Sequence, residues 1–183
     1  MNPTTASIVF ETDAGFCGIG WSERGITRFQ LPMRVREAVA RALARRTGGA
    51  AEGEPPAWVA ETIAAARAYF GGSRVDFAGV AIDPGPQEAF AAQVYAFVRG
   101  VPWGETTTYG AVARALGAGW EGAREVGQAM GRNPLPLIVP CHRVLAAGGR
   151  PGGFSAPGGT DAKLRMLALE GLDLAPAQGA LAL

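Results

Sequence analysis

Between Ala6 and Leu31 the apolar residues come in short runs broken by glycine: Ile8-Val9-Phe10, then Phe16 to Trp21, then Gly25 to Leu31. Asp13-Ala14-Gly15 and Ser22-Glu23-Arg24-Gly25 supply turns between them, so the segment predicts a meander of short strands. Cys17 falls within one of these strands and is expected in the core. The period then changes. Val35, Val39, Ala42 and Leu43 fall on one face of a helix from about Arg34 to Arg46. A loop follows at Gly48, Gly49, Gly53, Pro55 and Pro56, and a second helix runs from Ala57 to Phe70, where Gly71-Gly72 ends it.

Asp83-Pro84-Gly85-Pro86 reads as a stiff connector, because proline fixes the backbone and rejects helix. It sets the expected boundary between a domain over residues 1–85 and another over 86–183. Beyond it the pattern is helical. Phe90, Val94, Phe97 and Val98 mark an amphipathic helix that stops near Gly100 and Pro102. Thr108 is placed to cap a short helix carrying Tyr109, Val112, Ala113 and Leu116, which Gly117 terminates. Glu121 to Met130 forms a third helix after a tight turn. Two short helices joined this way match a helix-turn-helix, and they equally match an ordinary packing unit. A last helix begins near Thr160, with Leu164, Leu167 and Ala168 on its inner face, and ends at Glu170-Gly171. The intervening stretch from Asn133 to Gly159, rich in glycine and proline, is of the kind that usually carries function inside a compact domain.

Composition narrows the class. At 48% hydrophobic and 18% charged over 183 residues, the chain buries a substantial core, which excludes a disordered protein. No apolar run is long enough for a membrane helix, and Met1 to Glu11 lacks the pattern of a signal peptide, so a cytoplasmic address is expected. Lys plus Arg number 17 against 16 Asp plus Glu, which is not the strongly basic balance of many nucleic-acid binders. The local balance differs: from Tyr109 to Arg150 five arginines (Arg114, Arg124, Arg132, Arg143, Arg150) face two acids (Glu121, Glu125), enough for a small phosphate footprint or for an ordinary solvated surface. Cys17, Cys141 and His142 are too few ligands for structural zinc, so no metal is expected, and in a reducing cytosol the cysteines stay thiols.

The candidate chemistry centres on Cys141-His142-Arg143, which follows the apolar run Leu135 to Pro140. A lone buried cysteine can be a small core hydrophobe. A neighbouring base and positive charge give it a second use, because they make the nucleophilic thiolate available at neutral pH. In a regular strand Cys141 and His142 would point to opposite faces, so a working pair requires a backbone turn or a bridging water. Glu170 sits in the last turn of a helix, against the dipole. It is either an exposed surface glutamate or the third group that orients the histidine ring.

With these residues assembled, the segment Asn133-Pro134-Leu135-Pro136-Leu137-Ile138-Val139-Pro140-Cys141-His142-Arg143-Val144 resembles the active-site motif of the O6-alkylguanine-DNA alkyltransferases. Thr107-Thr108-Tyr109-Gly110, Ala123 to Met130, Gly153-Phe154-Ser155 and Leu169-Glu170-Gly171 follow that family's order, so the resemblance covers about Phe90 to Gly171. It implies that Cys141, His142 and Glu170 work through a bound water, and that Cys141 accepts an alkyl group from O6 of guanine in a single turnover. It further implies that Tyr109 meets the departing base at N3 and Ser155 at O6, while the Cys141 and Val144 carbonyls hold its exocyclic amine. Pro136 and Phe154 belong to the pocket, Phe154 standing where many relatives carry tyrosine, and Asn133 ties the reading helix to an active-site strand.

By the same resemblance Arg124 fills the stack vacated by a flipped nucleotide, and Ala123 and Gly127 allow close approach to the minor groove. On the residues alone, Arg124 could instead pair with Glu121 or Glu125, and the small residues could serve helix packing. The implied fold is α+β: a small mixed α/β amino-terminal domain, similar to ribonuclease H, followed by a mostly helical, winged-helix-like domain. The implied partner is double-stranded DNA containing O6-alkylguanine, bound by a monomer with no cofactor and no membrane. The competing functions are a damage-binding module that does not repair, against which Cys141 argues, and a cysteine hydrolase built on Cys141 and His142.

Overall fold

Three strands, Ala6–Thr12 (β1), Gly15–Ser22 (β2) and Gly25–Met33 (β3), form the expected meander in a computed structural model that describes residues 4–119 and 121–174. Residues 175–183, assigned above to the second domain, lie outside the described residues. The sheet gains a short fourth strand, Ala51–Glu52 (β4), parallel to β1, in the order β3-β2-β1-β4. Two residues inside a loop rich in glycine and proline carry no periodicity, which is why this edge is invisible in the sequence. Helix α1 (Arg36–Thr47) lies against the sheet at Gly18, where a Cβ would come within 3.0 Å of Leu43 and 3.1 Å of Val39. Helix α2 (Ala57–Phe70) starts and stops where the sequence places it.

The connector is strapped to the sheet rather than hanging between lobes. The Asp83 amide donates to Ile26 O at 2.8 Å, its carboxylate accepts from Ser22 and Arg24, and Arg28 donates to Pro84 O. After it come α3 (Ala89–Arg99), a two-residue strand Thr107–Thr108 (β5), α4 (Tyr109–Ala115) and α5 (Gly122–Gly131). Thr108 Oγ1 caps α4 by accepting from the Ala111 amide. Val144–Leu145 (β6) pairs in parallel with β5, and α6 (Gly159–Leu169) completes the described chain. One hydrophobic core runs through both halves, from Phe10 and Phe29 through Tyr69 to Val126 and Met166. Among the described residues no helix is long and apolar enough to cross a membrane.

Several inward assignments change. Val35 precedes α1 and is 52% exposed, because the helix begins one residue later than its apolar face suggested. On α3 it is Tyr95, not Phe97, that turns inward, its hydroxyl donating to Ala129 O at 3.0 Å and joining α3 to α5. On α6 Ala168 is exposed and Leu164 only half-buried, whereas Lys163 and Met166 are buried with Leu167. The helix is rotated because Lys163 reaches a backbone carbonyl beneath it. The expected strand leading to Cys141 is also corrected. Residues 135–140 form successive turns, with Leu137 in the left-handed region at φ 80°.

Candidate active site

Those turns deliver Cys141 into a single 3-10 turn, Cys141–Arg143, entered from Pro140. The tight turn answers the geometric difficulty of adjacent side chains, since residues one apart on a 3-10 turn project about 120° from each other rather than to opposite faces. Asn133 fixes the loop from within: its buried side chain donates to Val139 O and accepts from the Leu135 amide, both at 2.9 Å. The amino-terminal sheet adds a further tie, the Phe29 amide donating to Pro134 O.

Glu170 is buried and accepts from five donors. Oε1 takes His142 Nε2 at 2.7 Å, Tyr69 Oη at 2.9 Å and Arg143 Nη2 at 2.9 Å; Oε2 takes Arg143 Nε at 2.8 Å and the Gly104 amide at 3.4 Å. Burial works against its charge, yet the hydrogen bonds from His142 and Arg143 prevail and hold its pKa down at about 2. An ionised carboxylate only accepts, so the network assigns the proton of His142 to Nε2 and leaves Nδ1 as the basic nitrogen. Nδ1 is buried and has no hydrogen-bond partner among the described residues. Burial lowers the His142 pKa more than Glu170 raises it, so the ring rests neutral, as a base must.

Cys141 is 7% exposed and sits on the wall of a cavity of about 490 Å³, shared with Tyr109, Gly127, Met130, Phe154 and Ser155. The expectation of a ready thiolate needs correction. Burial pushes the thiol pKa up, and the Asn133 side chain and the Lys163 ammonium offset that only in part. The resting group therefore keeps its proton until a base removes it.

The other expected site residues divide. Tyr109 and Phe154 flank the cavity, with the Lys163 ammonium 5.7 Å from one ring centroid and 6.0 Å from the other. Ser155 lines it as well, its hydroxyl donating to Gly131 O at 3.1 Å. Pro136 and Asn133 instead line a smaller adjoining cavity that also opens at Cys141. Val144 is fully buried, lines neither, and its carbonyl accepts from Lys163 Nζ at 2.6 Å. Arg124 is exposed on α5, and among the described residues no ion pair joins it to Glu121 or Glu125. The small residues of that helix serve two ends. A Cβ on Gly122 would meet Ala118 Cβ at 2.5 Å in the turn and Ala113 Cβ at 3.2 Å on α4, so Gly122 packs α5 on α4, whereas Gly127 faces open space beside the cavity.

Two participants went unread in the sequence. Tyr69 lay within the second helix, Ala57 to Phe70, with nothing in the sequence to single it out. Lys163 did leave a signal, as the single lysine in a chain with sixteen arginines. Among the described residues no group of acidic, histidine and cysteine side chains is disposed to hold a metal ion.

Comparison with known proteins identifies the relatives of this chain. Residues 89–172 match the family model for the DNA-binding domain of 6-O-methylguanine DNA methyltransferase. The methylated-DNA--protein-cysteine methyltransferase of Methanothermobacter thermautotrophicus is 31% identical over 157 residues, which span 86% of this chain and 80% of that protein. A DNA base-flipping protein of Thermus thermophilus is 41% identical over 124 residues, 68% of this chain and 79% of its own. The crystal structure of Mycobacterium tuberculosis OGT in complex with DNA shares the fold at a TM-score of 0.73 and 30% identity, covering 94% of this chain and 96% of that one. With relatives matched over most of both chains, around a turn that sets Cys141 beside His142 and the buried Glu170, one assignment follows: the chain belongs to the methylated-DNA--protein-cysteine methyltransferase family.

Proposed function

We propose that this protein repairs DNA by moving an alkyl group from O6 of guanine to Cys141 Sγ, once per molecule. The carrying observation is the placement of a shielded thiol on the wall of a large cavity, in the residue next to a neutral histidine whose Nε2–H is locked onto Glu170. His142 Nδ1 takes the thiol proton through a water, and the exposed lone pair of Sγ attacks the alkyl carbon in line with the C–O6 bond. The S–C bond forms, the C–O6 bond breaks, and its electron pair stays on the base. Tyr109 donates to N3 and Ser155 to O6 as that charge develops, which is where preorganised donors contribute most. Ser155 must turn its hydroxyl away from Gly131 O to do so. The proton held by His142 returns through solvent to the departing guanine. The thioether left on Cys141 has no carbonyl for water to attack, so the protein is consumed.

A base stacked in duplex DNA cannot reach this thiol, so the nucleotide is extruded, at about a few kcal/mol, with α5 against the minor groove and Arg124 in the gap. Residues 86–183 carry DNA and nucleophile as one domain, and residues 1–85 buttress the site through Tyr69. The Thermus relative favours a rival, a binder that flips without repairing. Intact mass after mixing with duplex DNA containing O6-methylguanine separates the possibilities. One methyl on the Cys141 peptide, absent in Cys141→Ala, is expected. DNA binding with no adduct would establish the binder, and repeated turnover on an ester would establish a hydrolase.

A further inference from the structure

In-line displacement places sulfur, carbon and leaving oxygen on one axis, so any chain beyond the transferred carbon must extend sideways from that axis. A methyl group needs no such space. The protein nevertheless has it: a second cavity of about 180 Å³ meets the larger one at Cys141, Met130 and Ser155, and continues between the two halves of the molecule. It has room for a short chain of heavy atoms.

The amino-terminal half contributes two polar residues to its lining. Gln30 on β3 is buried there, its amide nitrogen donating to Leu31 O at 3.2 Å and leaving the side-chain oxygen as an acceptor. Arg46 on α1 sends its guanidinium to Asn133 O at 3.1 Å and Phe29 O at 3.5 Å, on the wall of the same cavity. Leu31, Met130, Pro136 and Phe154 are among the apolar residues that complete the lining. A fixed guanidinium and a fixed amide on the wall of this cavity select for a tail that ends in oxygen, because an all-carbon tail would cover polar groups without offering them a hydrogen bond.

We infer that the cavity bounded by Gln30 and Arg46 is a subsite for the tail of the transferred group, and that it favours short alkyl chains ending in a hydroxyl over hydrocarbon chains of equal length. The inference rests on the alkyl-transfer function proposed above and adds a specificity role for the amino-terminal half.

The test uses the full chain and duplex DNA carrying O6-methylguanine, O6-(2-hydroxyethyl)guanine or O6-propylguanine, reading the rate of adduct formation on Cys141. The last two differ only by OH for CH₃ at the chain end. Their rate ratio, taken within each protein, cancels any general effect of a substitution on folding or on the thiol. Wild type is expected to favour hydroxyethyl by about fivefold, and Arg46→Met and Gln30→Leu to bring the ratio close to one. A wild-type ratio near one overturns the subsite, and so does a preference that survives both substitutions. Failure of O6-methylguanine to alkylate Cys141 is a separate result, which removes the underlying function and the inference with it.

Discussion

His142 Nε2 lies 2.7 Å from Glu170 Oε1, and both side chains are wholly shielded from solvent. This contact decides the tautomer, leaving the proton on Nε2 and the lone pair on Nδ1. Glu170 also neutralises Arg143, so it is part of the fold as well as of the proposed chemistry.

Glu170→Gln is accordingly expected to do two things. It leaves the Arg143 guanidinium buried without its counter-charge, which costs about 3 to 5 kcal/mol of stability by urea unfolding. It also loosens the histidine, so adduct formation on Cys141 slows at neutral pH. An unchanged rate in protein shown to be folded would remove Glu170 from the reaction.

The pH dependence of stability follows from the same carboxylate. Its folded pKa of about 2 lies below the ordinary glutamate value of 4.5, so the unfolded chain binds the proton more readily. The stabilisation is complete above the unfolded value and disappears as pH falls through the folded one. Wild type should lose stability steeply between about pH 5 and pH 2, while Glu170→Gln shows a shallower slope across that window. Parallel acid-unfolding curves would contradict this.

Lys163 offers a test on the thiol. Burial brings its pKa down from 10.5 to about 8, against the pull of Cys141, and its ammonium favours the thiolate. Lys163→Met should slow alkylation at pH 7 by about tenfold, the size of one unit of thiol pKa. Since wild-type Lys163 itself loses its proton as pH rises through about 8, the two rates should approach each other above that value. A gap that stays constant to pH 9.5 would assign Lys163 to packing alone.

Helix α5 separates packing from recognition. Gly122→Ala drives a methyl into Ala118 and is expected to lower stability by about 1 to 3 kcal/mol. Gly127→Ala meets nothing within the protein and should hold or slightly raise the melting temperature, yet slow repair in duplex DNA. Equal repair rates for Gly127→Ala and wild type would place the DNA elsewhere.

Arg124→Ala should slow repair in duplex DNA more than reaction with free O6-benzylguanine, because only the duplex has a stack to fill. The comparison is of two second-order rates in one preparation. Equal losses would refute the stacking role.

The sequence by itself determined the elements whose periodicity is local: the three-strand meander, α2 to the residue, and the Thr108 cap on α4. It also carried the ordered motifs around Cys141, because a proline-bounded loop with cysteine, histidine and arginine in series has few other uses. What it could not carry was any relationship between residues far apart in the chain. β5 and β6 are two residues each and exist only because each pairs with the other. Lys163 turned inward, against the helix's own apolar stripe, because Val144 O lay beneath it. The thiol's protonation was likewise settled by tertiary burial, which outweighs the neighbouring positive charge that the sequence displays. Charge and periodicity are written along the chain, whereas desolvation depends on what the rest of the molecule covers.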